Sequence, residues 1–422
     1  MSGLALHTVR LTTPESTHAS GNYVAHTVSR AALFAALCAL AGWSSTPATA
    51  NNDGAFLDRH WARPLKAQGK PPAGFSAQEA SLDSSSCAEC HRAQFDDWKA
   101  SLHSRAMGPG VLGQLLDMDP EAADEHQACL RCHAPLAEQA SSLKDASRKR
   151  RGGGLHEQGL VCAGCHVRGH ARYGPPRRDG STSKPGERLP HGGWQASAAF
   201  SDSRFCAACH QFDADGFALN GKPLENTYEE WRASRHAREG RTCQSCHMPD
   251  RRHLWRGIHD AETVRGGVTM ETQAPTVASG RITARLRLAN TGTGHAFPTY
   301  VTPLVEMEIF QADVAGRPLA GTRRAQWIGR RVALDLSREI ADTRLPPDEA
   351  AVLAYAQPAH PNAAMLVYRV RVEPDAFYAA FYRDALRQGA TRAGRKMIEQ
   401  ALAAANASAY TLFERREQMR GQ

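Results

Sequence analysis

Beyond its first 50 residues, the sequence has no apolar run that approaches the roughly 20 residues of a membrane-spanning helix. It also has almost no cysteine outside one repeated pattern, since ten of its 11 cysteines belong to that pattern and only Cys38 does not. We therefore expect no transmembrane segment in the mature chain. The composition, with 42% hydrophobic and 22% charged residues, is ordinary for a soluble protein, and 422 residues are enough for two domains or more.

The repeated pattern is Cys-x-x-Cys-His, the attachment site of a c-type haem. Its two thiols reach the vinyl groups of a porphyrin, and the adjacent imidazole meets the iron as proximal ligand. A redox disulfide does not account for five trailing histidines, and zinc knuckles leave them without a role. The sequence therefore predicts five covalently bound haem c groups. Motifs 1 to 5 are Cys87-x-x-Cys90-His91, Cys129-x-x-Cys132-His133, Cys162-x-x-Cys165-His166, Cys206-x-x-Cys209-His210 and Cys243-x-x-Cys246-His247.

The first 50 residues are predicted to be a secretory signal peptide. An apolar stretch from Ala31 to Trp43 follows Arg30, and Thr49 stands between two small residues, which predicts cleavage before Asn51. Leu37 precedes Cys38 where a lipoprotein signal needs a small residue. We expect export to the periplasm, where c-type haems are attached, and the sequence leaves the cell surface open as a destination.

The basic balance of the chain does not indicate nucleic acid as a partner. Removal of the leader lowers the formal charge from +8 to +7. Five haems would add about ten propionate carboxylates, which brings the holoprotein close to neutral at ordinary carboxyl pKa values. The expected partners are other redox proteins, as donor and acceptor, and homo-oligomer formation is left open.

Local patterns predict an α+β multidomain chain. After the signal peptide (1–50) comes an extended lead-in (51–82) with several prolines. A pentahaem domain (83–265), mainly helices and loops packed on porphyrins, precedes a small antiparallel β-sandwich (266–375) and a C-terminal helical segment (376–422). Strand-like alternation occurs in four places, and helical periodicity from Thr391 to Arg420. The alternating residues are Ile282 to Leu288, Val305 to Ile309, Val332 to Leu336 and Leu366 to Val372.

A sequence pattern that occurs twice indicates candidates for the distal haem ligand, which a low-spin haem needs opposite its proximal histidine. Trp98-Lys-Ala-Ser-Leu-His103 and Trp231-Arg-Ala-Ser-Arg-His236 share a Trp-x-x-Ser-x-His pattern, each preceded by two acidic residues. Thr227 and Glu230 predict a capping box at the start of the second copy. His103 and His236 are therefore the first candidates. The others are His259 just after motif 5, His295 between two predicted strands, His191 and His156.

Other side chains are weaker candidates for the distal positions. Met107 is the methionine with the best context, although methionines more often fill cores. His126 and His170 lie close to motif histidines in sequence. We interpret His253 as a surface residue or one that supports a ligand.

The two Trp-x-x-Ser-x-His copies, Cys243-Gln-Ser-Cys-His-Met-Pro249 and Gly294-His-Ala-Phe-Pro-Thr299 resemble the cytochrome c554-like multihaem family. The resemblance covers roughly residues 84 to 260. The Gly-His-x-Phe-Pro-Thr stretch is similar to one in related multihaem chains that end in a β domain. The resemblance to this family implies closely stacked haem pairs whose irons are mostly held by two histidines. It also implies a periplasmic electron relay in nitrogen or sulfur redox metabolism. His103 and His236 would be distal ligands. The namesake of the family holds four haems, so this chain departs from it in number.

Three functions follow from these patterns. The first is an electron-transfer relay in respiratory redox metabolism, in which the protein supplies spacing, ligation and dielectric. The second is a multihaem oxidoreductase that acts on a small nitrogen or sulfur compound at one open haem. The sequence lacks the Cys-x-x-Cys-Lys variant that pentahaem nitrite reductases use, which favours a carrier over an enzyme and assigns no catalytic residue. The third is an interaction protein that binds a partner through its β domain and exchanges electrons with it through its haems.

Overall fold

The computed structural model describes residues 52–119, 122–149, 153–184, 186–214, 216–389 and 392–419. The predicted signal peptide lies outside these residues. Asn51–Gln422 form one compact unit, in which local structure changes from helices and loops to long strands at Val268. The fold is mixed α+β. Among the described residues, no helix combines the length and apolarity needed to cross a membrane.

The first part of the unit consists of helices of up to 13 residues joined by turns and by strands of two to four residues. Gly and Pro interrupt the sequence between motifs and keep most of these helices short. The helices are α1 (Asn52–His60), α2 (Ala77–Ala80), α3 (Ser84–Ala88), α4 (Arg92–Ala100), α5 (Pro109–Asp117), α6 (Ala123–His133), α7 (Ala137–Lys149), α8 (Cys162–His166), α9 (Arg204–His210), α10 (Thr227–Ala233), α11 (Arg235–Arg238), α12 (Cys243–His247) and α13 (Ala261–Gly267). The short strands are β1 (Val167–Arg168), β2 (Ala171–Gly174), β3 (Gln195–Ala196), β4 (Ala218–Leu219) and β5 (Lys222–Pro223).

The second part is built from antiparallel strands. They are β6 (Val268–Ala278), β7 (Arg281–Asn290), β8 (Leu304–Ala312), β9 (Arg324–Ile328), β10 (Arg330–Val332), β11 (Glu339–Asp342), β12 (Ala350–Pro358), β13 (Met365–Glu373) and β14 (Tyr410–Gln418), with α14 (Ala376–Gln388) and α15 (Arg392–Ala407) before the last strand. A three-stranded sheet has the order β12-β7-β6, and a four-stranded sheet has the order β14-β13-β8-β9. β10 pairs with β11 separately.

Both larger sheets contribute to one hydrophobic cluster. Leu286 of β7, Ile309 of β8 and Tyr368 of β13 are fully buried in it. Ile309 and Tyr368 are partners across the β8–β13 ladder, so alternate residues of each strand share one face. The alternations predicted for β7, β8 and β13 are therefore found on strands.

The alternation predicted from Val332 to Leu336 is wrong beyond its first residue. Strand β10 ends at Val332, and the chain turns through Leu336, whose φ is 55°. Asp335 accepts hydrogen bonds from the N–H and the hydroxyl of Ser337, at 3.1 and 2.7 Å. This side-chain turn competes with the ladder and ends the strand.

The helical prediction for residues 391–420 is correct only as far as Ala407. From Tyr410 the chain forms β14, which pairs with the edge of β13 and buries Leu412. Earlier in the segment, Ile398 of α15 is buried against Gly113 of α5, where an added Cβ would lie 2.8 Å from the Ile398 side chain. The C-terminal segment thus contacts both the haem-motif region and the sheet.

Candidate haem sites

All five Cys-x-x-Cys-His motifs lie on short helices or on the turn that follows one. Motifs 3 and 5 occupy α8 and α12 completely, and motifs 2 and 4 end α6 and α9. In motif 1, α3 ends at Ala88, but the N–H of His91 still donates to the Cys87 carbonyl at 2.9 Å. Each pair of thiols is therefore one helical turn apart, as porphyrin attachment requires.

Thiols of different motifs adjoin one another. The thiol of Cys87 of motif 1 adjoins the thiol of Cys162 of motif 3. Cys132 of motif 2 contacts Cys209 of motif 4 in the same way. Cys206 of motif 4 contacts Cys243 of motif 5, and Cys165 of motif 3 lies close enough to Cys206 to influence its charge. The motifs therefore adjoin in the order 1, 3, 4 and 5, with motif 2 beside motif 4.

Four of the five motif histidines are fixed through Nδ1, which leaves Nε2 free. In three of them Nδ1 lies beside a backbone carbonyl, whereas His210 contacts a tyrosine hydroxyl. A ligating histidine is commonly oriented by such a bond on its other nitrogen. The contacts are His133 with Ala106 at 2.6 Å, His166 with Tyr173 at 2.7 Å, His210 with Tyr300 at 2.8 Å and His247 with Arg256 at 2.8 Å.

Three motif histidines face a second imidazole at a nearly constant separation. Since a histidine nitrogen binds a metal at about 2 Å, two imidazoles on one iron have ring centres roughly 6 Å apart. The described residues give neither His91 nor His133 such a facing ring. The ring centres are separated by 6.2 Å for His166 and His253, 6.3 Å for His210 and His103, and 6.4 Å for His247 and His295. The three observed separations therefore match the distance expected for two imidazoles on one haem iron.

The facing histidines are part-buried, and loss of hydration lowers their pKa values, which favours the uncharged imidazole at neutral pH. Burial lowers the pKa of His103 to about 3 and the pKa of His295 to about 4. It also lowers the pKa of His253. A neutral imidazole is the form that binds a metal. His253 and His295 have Nδ1 beside the carbonyls of Arg251 and Ala296, which leaves Nε2 for a ligand.

The structure thus brings two predicted candidates, His103 and His295, opposite motif histidines. His253 also lies opposite a motif histidine, so its interpretation as a surface or supporting residue is not what the structure favours. The loop after motif 5 has no periodicity and no copy of the Trp-x-x-Ser-x-His pattern, so its histidine carried no signal of its own. Trp255, two residues further on, packs edge-on against both His253 and His103, at 4.9 and 4.6 Å between ring centres.

His236, the other leading candidate, is buried and has no facing motif histidine among the described residues. Its Nδ1 lies 3.3 Å from an Arg241 nitrogen. Its Nε2 is buried without a hydrogen-bond partner in the part of the chain that the structure describes. A buried unpaired nitrogen of this kind fits a group that is bound later.

The remaining candidates have other contacts. His259 is exposed, and its Nε2 lies 2.9 Å from Asp375 Oδ2, so the structure gives this nitrogen a carboxylate partner. His156 is buried with Nδ1 2.9 Å from the Ser142 hydroxyl. His191 is part-buried, with Nδ1 2.9 Å from the Gly193 carbonyl. Met107 is buried in an apolar cluster with Leu115, Leu130 and Leu143.

The helix-borne Cys-x-x-Cys-His motifs and the facing histidines define a c-type cytochrome with several haem sites. Comparison with known proteins agrees: the family described as "Cytochrome c554 and c-prime" matches residues 86–167. The fold is similar to that of a penta-heme cytochrome c552 from Thermochromatium tepidum, with a TM-score of 0.58 and 17% identity, over 82% of this chain and 100% of that chain. No curated protein matches. This chain is therefore similar to multihaem c-type cytochromes in its motifs, in the family match over residues 86–167 and in its fold.

Proposed function

We propose that this chain is an exported pentahaem cytochrome that relays electrons between redox proteins of the periplasm in respiratory metabolism. The observation that carries this proposal is the set of three facing histidine pairs, each with ring centres 6.2 to 6.4 Å apart. Six-coordinate iron has no open position for a substrate, which favours a carrier.

Within this proposal, each facing pair would hold the iron of one haem. His166 and His253 serve motif 3, His210 and His103 serve motif 4, and His247 and His295 serve motif 5. Bound haem would supply one-electron redox chemistry at its iron. The protein residues orient the imidazoles through their Nδ1 contacts and leave Nε2 for the iron.

Exposure of the motifs suggests where partners exchange electrons. Cys90 and His91 of motif 1 are exposed, and so is Cys246 of motif 5. Ala163 and Gly164 of motif 3, by contrast, are buried. Because motifs 1, 3, 4 and 5 adjoin in that order, the two exposed motifs lie at opposite ends of the series. We assign donor and acceptor contacts to these ends.

A specific observation favours a second function. Neither His91 nor His133 has a facing imidazole among the described residues, so an iron at motif 1 or motif 2 would keep a position for a small molecule. In that case the protein would be an oxidoreductase of a small nitrogen or sulfur compound at one haem.

Spectroscopy of the oxidised, matured protein separates the two functions. Pyridine haemochrome quantifies haem, and EPR with magnetic circular dichroism distinguishes low-spin from high-spin iron. Five low-spin haems support the relay. A high-spin fraction of one in five supports the oxidoreductase, to be followed by assays with nitrite, hydroxylamine and tetrathionate. Fewer than five haems contradicts the pentahaem assignment, and cell fractionation tests export.

A further inference from the structure

Two parts of the chain share one set of contacts although their sequences differ widely. The first repeat comprises residues 84–103 and 160–166, with motifs 1 and 3. The second comprises residues 203–236 and 241–247, with motifs 4 and 5. In each repeat, a serine three residues before the first motif accepts a hydrogen bond from the N–H that opens the second motif. The bonds are Cys162 N–H to Ser84 at 3.3 Å and Cys243 N–H to Ser203 at 3.0 Å.

The Trp-x-x-Ser-x-His segment makes the same bonds in both repeats. Trp98 donates through Nε1 to the Leu160 carbonyl at 2.7 Å, and Leu160 N–H donates to the His103 carbonyl at 2.9 Å. Trp231 donates to the Arg241 carbonyl at 2.9 Å, and Arg241 N–H donates to the His236 carbonyl at 2.9 Å. Leu160 and Arg241 each stand two residues before a motif. The segment therefore ties each tryptophan helix to the motif that follows it.

The acidic residue before each tryptophan has an equivalent role that the sequence pattern did not reveal. Asp97 accepts the N–H of His253 at 3.0 Å and two hydrogen bonds from the Arg252 guanidinium, at 2.6 and 2.7 Å. Its carboxylate is only 7% exposed, and the Arg252 hydrogen bond lowers the pKa of Asp97.

Glu230 makes the corresponding contacts in the second repeat. It accepts the N–H of Ala296 at 3.0 Å, and Arg344 donates to its other oxygen at 2.8 Å. The predicted capping box of Thr227 and Glu230 is therefore wrong, since α10 has no side-chain cap and Glu230 reaches the next loop. Thr227 instead donates to Glu225 at 2.9 Å.

Each acid thus fixes a loop that carries a facing histidine. Asp97 holds the N–H of His253 itself, and Glu230 holds the residue directly after His295. Each carboxylate uses one oxygen for a backbone N–H and is paired with an arginine. Charge-assisted hydrogen bonds of this kind are short and about twice as strong as neutral ones, and they define the position of a loop.

We propose that Asp97 and Glu230 are equivalent positioning residues, which hold His253 and His295 opposite His166 and His247. The inference rests on the facing histidine pairs of the proposed function. It extends them by assigning a function to the acidic residue in each copy of the repeat. Loss of either carboxylate leaves the loop histidine free to move away from the iron, so that its haem becomes partly five-coordinate and high-spin.

The chain offers a matched control beside each acid. Asp96 pairs with exposed Arg92, and Glu229 pairs with exposed Arg232, so neither carboxylate reaches a histidine loop. The test compares Asp97→Ala with Asp96→Ala and Glu230→Ala with Glu229→Ala. Asp97→Asn and Glu230→Gln keep side-chain size if an alanine variant fails to accumulate. EPR spin state and redox potentials are measured at equal haem content.

We expect Asp97→Ala to convert part of one low-spin signal to high spin, and Glu230→Ala to convert part of a different one, with both controls unchanged. The low-spin signal that decreases in Asp97→Ala should be the one that is lost in His253→Ala. The variant that carries both substitutions should lose no more low-spin signal than His253→Ala alone, because the effects of coupled residues are not additive. If His253→Ala changes the spectrum and both Asp97 variants match Asp96→Ala, the positioning role is wrong. If His253→Ala leaves the EPR spectrum unchanged, the assignment of His166 and His253 to one iron is wrong.

Discussion

Nδ1 of His210 lies 2.8 Å from the hydroxyl of Tyr300, whereas His133, His166 and His247 use backbone carbonyls for the same purpose. Tyr300 sits in the strained loop after Pro298, with a φ of 52°, and its burial raises the pKa of its hydroxyl well above the ordinary value. The phenol is therefore neutral. A side chain at this position can be changed by mutation, which a backbone carbonyl cannot.

We expect Tyr300→Phe to raise the potential of the motif 4 haem, since it removes a hydrogen bond that makes the His210 imidazole a stronger donor. The shift equals the difference in strength of this bond between the ferric and ferrous states, so a hydrogen bond of about 1 kcal/mol limits it to about 40 mV for one electron. Potentiometric titration followed by EPR measures the shift. Tyr173→Phe is the control, because His166 contacts its carbonyl and not its side chain. Equal shifts in both variants would contradict the prediction.

His259→Ala should leave the haem spectrum unchanged, in contrast to His253→Ala. The Nε2 of His259 faces Asp375 at the surface, and an exposed polar pair of this kind contributes about 0 to 1 kcal/mol to the free energy of unfolding. Absorption and EPR spectra of the two variants at equal haem content test this contrast. A loss of low-spin signal in His259→Ala would return His259 to the set of ligands.

The potential of the haem at motif 4 should fall as pH rises through about 8. Burial raises the pKa of Glu225 to about 8, and Glu225 connects through Thr227 to Tyr300. Above this pH the carboxylate is charged and stabilises ferric over ferrous iron. Potentials measured from about pH 7 to about pH 9 should show this step, and Glu225→Gln should remove it. A step that survives in the variant would implicate another group.

The charged and titratable groups around Glu225 are Glu230, Tyr300 and Tyr378, and the adjacent Cys132 would be bonded to haem in the matured protein. The two tyrosine hydroxyls have raised pKa values because of burial, so they remain neutral in this range. The same shift affects folding. Because the pKa of Glu225 is higher in the folded state than the ordinary 4.5, the folded chain binds more protons between those values. The contribution of Glu225 to the free energy of unfolding therefore falls as pH rises through that interval.

Arg330→Met should destabilise the protein by about 3 to 5 kcal/mol, because it leaves buried polar partners unpaired. Arg330 is 1% exposed, binds Glu339 at 2.8 Å and donates to the carbonyls of Leu219, Lys222 and Pro223. It therefore fastens the β4–β5 hairpin to β10. Urea denaturation measures the loss, with exposed Arg331→Met as the control. Equal stabilities of the two variants would show that the hairpin does not depend on Arg330.

Sequence patterns located the groups whose chemistry depends on spacing along the chain. The Cys-x-x-Cys-His motifs and the strands β7, β8 and β13 have fixed local periods, so they were predictable. His253 and Glu230 were not, since their partners come from other parts of the chain and depend on how loops meet. The acidic pair before each tryptophan was visible, but the sequence did not show which acid of each pair turns inward.

The position of β14 affects the order in which the protein is assembled. This strand completes the four-stranded sheet by pairing with β13, after α15 has returned to pack on α5. A chain exported from its N-terminus would present all ten motif thiols before Tyr410 reaches the periplasm. The sheet cannot close around an incomplete chain. Haem attachment in the periplasm would therefore have a period in which the motifs are present and β14 has not yet paired with β13.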